Sequence, residues 1–143
     1  MAKASTSAVE AKELGLLRAN DLVTFNAHEL LHVAKQQALA LADGGYRPPL
    51  PARRIAVAGD VGIATFKMLL VNMLEGRFIS EHDFDIATRI ATVLCGGEVD
   101  RGSLVDEDWL LALERKEFVA LAQLPKTQER IAHMLKTGKP LRN

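Results

Sequence analysis

The sequence predicts an all-α fold of five to six helices with one extended, proline-rich arm. Apolar residues recur at helical spacing through most of the 143 residues. Residues typical of helix N-termini precede these stretches, and glycines follow them. Only Ile55–Val57 indicates a strand, and a brief one. The whole chain, residues 1–143, is therefore expected to form a single helical domain.

Two helices are expected before the arm. Ser7 and Glu10 have the spacing of a capping box, in which each side chain binds an otherwise unpaired backbone amide, and Gly15 ends this short helix. A second helix begins after Asn26, with a glutamate at the box position. The glycine pair at 44–45 ends it.

The arm covers residues 46–59. Its three prolines lack an amide hydrogen and restrict the residues before them, so the segment is expected to be extended or turned. Arg53 and Arg54 make it basic.

Four further helices follow, with Ser80 and Asp106 as N-caps. They are expected over Asp60–Glu75, from Ser80 to the glycines at 96–97, from Asp106 to about Leu124, and from Pro125 to Gly138. Their apolar sides are expected to be buried, among them Ile63, Phe66, Leu69, Leu70, Met73, Phe84, Ile86, Ala87, Ile90, Ala91, Val93 and Leu94. Cys95, at a helix end with no base beside it, is expected to be a small buried residue.

Composition excludes several classes of function. Lys+Arg and Asp+Glu both number 18, so no bulk charge attracts nucleic acid or a membrane surface. The sequence has no apolar run of about eighteen residues, the length that a membrane-spanning helix needs. The single cysteine fits a reducing compartment, so a cytoplasmic protein with neither nucleic-acid nor membrane partner is expected.

The segment His28–His32 reads HELLH, the pattern with which one helix face holds zinc. In this alternative His28 and His32 are ligands and Glu29 is the general base of a small zinc hydrolase. The pattern lies in the first helical turn, where Glu29 is already expected to act in the cap. The sequence shows no recognisable third ligand, so no metal is the favoured prediction.

Several short segments, taken in order, resemble the C-terminal part of the crotonase (enoyl-CoA hydratase/isomerase) superfamily. They look most like the hydratase-like domain of large bifunctional bacterial 3-hydroxyacyl-CoA dehydrogenases. These segments are GYRPPLP at 45–51, Lys67–Leu70, Ile79–Asp83, Leu94–Gly97 and KPLRN at 139–143.

The resemblance implies that the catalytic part precedes this chain. Family members place two catalytic glutamates and two oxyanion-binding amides in a β-rich core, so no catalytic residue and no cofactor are assigned here. NAD serves the dehydrogenase part, and acyl-CoA is the substrate. A final helix of the family contacts coenzyme A; its aromatic position resembles Met134, and Lys136 or Lys139 stands in for its lysine.

The sequence-based hypothesis is thus a helical domain of a fatty-acid β-oxidation enzyme that covers the hydratase core. The isolated domain is expected to catalyse neither the hydratase nor the dehydrogenase reaction. Its expected partners are the upstream dehydrogenase and hydratase domains and a second copy of itself, as a dimer. The alternatives are a stand-alone helical interaction module and, third, the zinc hydrolase.

Overall fold

The computed structural model describes residues 4–143 and confirms the all-α prediction. Within that range the helices are α1 (Ala8–Glu13), α2 (Leu30–Asp43), α3 (Gly59–Glu75), α4 (Glu81–Leu94), α5 (Glu107–Ala122) and α6 (Pro125–Thr137), and the strands are β1 (Ile55–Ala56) and β2 (Leu104–Val105). The chain forms two compact units, one ending at Pro49 and the other beginning at Leu50.

The first unit contains α1 and α2. The Ser7 hydroxyl accepts from the Glu10 amide at 3.1 Å, as the capping spacing predicts, and the Glu10 carboxylate accepts from the Thr6 amide at 2.8 Å. The second helix differs from its prediction. The Asn26 side chain accepts from the amide of His28, and this cap begins a 3-10 turn over Ala27–Glu29 before α2 starts.

The second unit begins with the rest of the arm. Residues 50–54 have no regular structure, and β1 then pairs with β2 in antiparallel register, Ile55 opposite Val105. The predicted brief strand is confirmed, whereas β2 was missed because two residues are too few to show an alternating pattern.

α3 and α4 pack closely at the start of α3. The amide of Gly59 donates to the Cys95 carbonyl at 2.8 Å. A side chain at Gly62 would come within 2.8 Å of the Cys95 sulfur, so a small residue is required there. Ile63, Ala91 and Cys95 are buried at this contact, which confirms the prediction for the cysteine. Burial raises the pKa of the Cys95 thiol.

Several side chains predicted to be buried are exposed. Phe66, Leu69 and Met73 of α3, and Ile90 and Leu94 of α4, all keep 40% or more of their surface accessible. Their spacing correctly marks apolar helix faces, but a periodic pattern does not specify what covers the face. The aromatic side chains of Phe66, Trp109 and Phe118 are 44%, 49% and 67% exposed.

Among residues 4–143, no helix has the length and apolar character needed to cross a membrane.

Candidate functional site

The most polar junction of the second unit joins the first turn of α4 to α6. Ser80 and Asp83 form the capping box of α4, each side chain paired with the other's backbone amide at 3.1 Å. Arg130 of α6 donates to the Asp83 carboxylate at 2.7 Å. It also donates to the Asn143 side-chain oxygen at 2.7 Å and to the Asn143 carbonyl at 3.2 Å. One guanidinium therefore connects the cap of α4, α6 and the segment after α6.

His82 is the buried polar residue of this junction, with 5% of its surface exposed. A ring nitrogen, Nε2, lies 3.1 Å from the Thr127 hydroxyl in the first turn of α6. Burial lowers the pKa of His82, and the Arg130 and Lys126 charges lower it further, against the opposing effect of Asp85 and Asp83. The folded unit therefore favours the neutral form of the His82 ring.

The pKa of Asp83 depends on burial and on the groups that donate hydrogen bonds to its carboxylate. Burial by itself raises the pKa of this carboxyl, but the hydrogen bonds from Arg130 and from the Ser80 amide outweigh it and lower the pKa. The carboxylate is held charged beside the N-terminus of α4, where a negative charge also suits the helix dipole. The arrangement serves to hold elements together, because its polar groups pair with one another.

α4 and α5 enclose a cavity of about 540 Å³. Arg89 lines it and forms ion pairs with Asp85 at 3.1 Å and with Glu117 at 2.9 Å. The Trp109 indole, which also lines it, donates to the Gly96 carbonyl at 2.9 Å. Arg89, Asp85 and Glu117 are therefore paired with one another, and Glu98 and Lys116 also line the cavity.

A second, apolar groove of about 300 Å³ lies between the same two helices. Ile90, Val93 and Leu94 of α4 face Phe118 and Leu121 of α5 across it. Phe118 is 67% exposed at its edge. The groove is a surface for packing, since its lining is mainly hydrocarbon.

The residues proposed to contact coenzyme A lie at the end of α6. Met134 and Lys136 are on its last turns, and Lys139 follows the left-handed Gly138 that ends the helix. All three are exposed, and the two cavities between α4 and α5 are lined by other residues. Their contact with coenzyme A stays a prediction.

The HELLH segment is divided between two kinds of helix. His28 and Glu29 belong to the 3-10 turn, whereas His32 belongs to α2, so the motif does not lie on one regular α-helix as expected. All three side chains are exposed. Across residues 4–143 no group of three or more His, Cys, Asp or Glu side chains is placed to hold a metal ion.

The whole chain is similar to part of a known protein. All 143 residues of the chain match part of a probable 3-hydroxyacyl-CoA dehydrogenase from Bacillus subtilis (strain 168), with 45% identity. The chain spans 18% of that relative's length. No family model matches the sequence. No solved structure matches it either.

Proposed function

We propose that this chain is a helical, non-catalytic part of a 3-hydroxyacyl-CoA dehydrogenase. The observation that carries the proposal is the 45% identity, which extends over all 143 residues and involves 18% of the relative. Unrelated sequences do not share this level of identity over the whole length of a chain. The NAD site and the catalytic residues of the dehydrogenase then lie elsewhere in the complete enzyme.

The finer proposal is that the parent enzyme also has a crotonase-like hydratase part, and that this chain covers its core. The exposed apolar faces of α3, α4 and α5 support a covering role, because monomers rarely leave such faces open. Met134, Lys136 and Lys139 are proposed to contact coenzyme A at the end of α6. Contacts between subunits, most simply in a dimer, are part of the same proposal.

The size of the polypeptide that contains this chain tests the proposal. An antibody raised against the 143 residues should detect a band between five and six times larger than 15.6 kDa in lysates of the source cells, because the chain spans 18% of the relative's length. Mass spectrometry of that band should return peptides of this chain together with peptides outside it.

A band of 15.6 kDa alone would contradict the proposal and favour the stand-alone interaction module. The captured large polypeptide also tests the finer proposal. Hydration of an enoyl-CoA by it supports a hydratase part, and absence of hydration with intact dehydrogenase activity removes that part of the proposal only.

A further inference from the structure

The proline-rich arm contains a short segment whose backbone is constrained by its own sequence. The rings of Pro48, Pro49 and Pro51 hold φ at about −65°. A residue that precedes a proline is also pushed towards the extended region, which applies to Arg47, Pro48 and Leu50. Residues 47–51 therefore favour the polyproline II conformation before any partner binds.

The structure leaves this segment open. Residues 46–54 have no regular secondary structure, and all of them are exposed, with Leu50 at 92%. No backbone group among residues 4–143 hydrogen-bonds to the backbone of residues 47–51. Directly after them, the Ala52 carbonyl accepts from the Glu107 amide at 3.0 Å. The segment is thus anchored at its end, and its own backbone and side chains are accessible to a partner.

The side chains of the segment have the spacing that one kind of groove recognises. A polyproline II helix has three residues per turn, so positions 47, 50 and 53 lie along one edge and positions 48 and 51 along the next. Two adjacent edges present Arg47 with Pro48, then Leu50 with Pro51, and then Arg53. The third edge carries positions 49 and 52. Segments with two prolines at this PxxP spacing dock into grooves lined by aromatic side chains.

The charge of the arm indicates which groups border such a groove. Residues 44–59 contain three arginines, at positions 47, 53 and 54, and no acidic residue. All three side chains are exposed, and none of them forms an ion pair within residues 4–143. A carboxylate at one end of the groove would accept charge-assisted hydrogen bonds from the Arg53 guanidinium.

The same charges decide between the possible occupants. A permanent cover by another part of its own polypeptide would remove three guanidinium groups from water in order to bury one leucine and three prolines, which is unfavourable. An anionic membrane or a nucleic acid would use the charges but not the proline spacing, and the chain has no net charge to attract either. A groove on a separate protein contacts two edges and leaves the third in solvent.

We propose that residues 47–53 are a polyproline II ligand for a separate protein, whose groove holds the two prolines of the PxxP spacing against aromatic side chains and pairs Arg53 with a carboxylate. This inference does not depend on the proposed function, because it concerns a binding segment and not the reaction of the parent enzyme.

Binding to a domain of known specificity tests the proposal. The probe is a purified SH3-type domain that binds PxxPxR peptides, and calorimetry measures its Kd for the complete polypeptide that contains this chain. A free peptide of residues 45–55 gives the Kd of the uncovered segment. The two Kd values are expected to agree within about threefold, because the exposed segment needs no rearrangement before it binds.

Two proline variants of the complete polypeptide serve as a matched pair. Pro49→Ala and Pro51→Ala both remove one ring that restricts the unbound segment, but only Pro51 lies on an edge that contacts the groove. Pro49→Ala is expected to raise the Kd by less than about fivefold, and Pro51→Ala by roughly tenfold more than that. Arg53→Ala is expected to raise the Kd by roughly tenfold or more and to weaken its dependence on salt.

Each contrary result overturns the inference. It fails if neither the peptide nor the complete polypeptide binds the probe, or if Pro49→Ala and Pro51→Ala have equal Kd values. A loss confined to Arg53→Ala would show attraction by charge alone, the kind that an anionic membrane or a nucleic acid exerts. If the peptide binds and the complete polypeptide does not, another part of its own polypeptide or a second copy covers the segment.

Discussion

Removing the Arg130 guanidinium should loosen the contact between α6 and the first turn of α4. In Arg130→Ala the Asp83 carboxylate loses its 2.7 Å ion pair, and both oxygens of Asn143 lose their donors. The side chains of the ion pair are 19% and 27% exposed, which places the pair between the surface and buried cases.

Exposed ion pairs contribute at most about 1 kcal/mol, whereas breaking a fully buried pair costs about 3–5 kcal/mol. For Arg130→Ala we therefore expect the free energy of unfolding to fall by about 2 kcal/mol, with part of the loss screened at high salt. The matched control is Arg115→Ala, an exposed arginine on α5, for which a change within about 0.5 kcal/mol is expected.

Urea unfolding followed by tryptophan fluorescence measures this difference in the relevant unit. Trp109 is the only tryptophan of the sequence and lies on α5, in the unit that begins at Leu50. Equal unfolding free energies for the Arg130 and Arg115 variants would refute the view that this guanidinium holds α4 and α6 together.

Four other outcomes follow from the structure and sequence. Folding lowers the pKa of His82 from 6.5, so below that pH the unfolded chain binds a proton that the folded chain excludes. The contribution of His82 to the free energy of unfolding should therefore be constant above pH 6.5 and fall as the pH decreases below it. His82→Gln should remove this pH dependence, and His32→Gln should keep it. Gly59→Ala should cost about 2–4 kcal/mol in urea unfolding, because φ is +61° and the new Cβ would overlap the Val99 carbonyl, whereas Gly102→Ala, with open space at φ +85°, should cost only about 1 kcal/mol. Elemental analysis of the purified chain should find no stoichiometric zinc, and one zinc per chain, lost in His32→Ala, would restore the hydrolase alternative. Light scattering of the isolated chain should show self-association, and a 15.6 kDa species at all micromolar concentrations would exclude it.

Helix ends that depend only on neighbouring residues could be predicted from the sequence. Ser7, Ser80 and Asp106 act as the caps that their spacing predicts, because a cap involves only a neighbouring amide. Pro125 begins α6 and Gly138 ends it in a left-handed conformation, for the same local reason.

The side-chain contacts between α4 and α6 could not be predicted from the sequence. Asp83 and Arg130 are 47 positions apart, and His82 and Thr127 are 45 apart. Helical spacing relates residues three or four positions apart, so it gives no information on which distant side chains meet. The sequence alone does not distinguish His82 from the other three histidines.

Burial was the least predictable property. Leu69 and Leu70 are adjacent in sequence and chemically identical, yet the first is exposed and the second half-buried. An apolar pattern shows that a helix has a face to bury, but the partner of that face need not lie within the same 143 residues.

The initial rate of NAD reduction with a 3-hydroxyacyl-CoA substrate tests the central claim most directly. It is measured for the complete polypeptide that contains this chain and, at equal molar concentration, for the isolated 143 residues. We predict NADH formation by the complete polypeptide and none above background by the isolated chain. No NADH from a folded complete polypeptide, or turnover by the isolated chain, would contradict the assignment of this chain as a non-catalytic part of a 3-hydroxyacyl-CoA dehydrogenase.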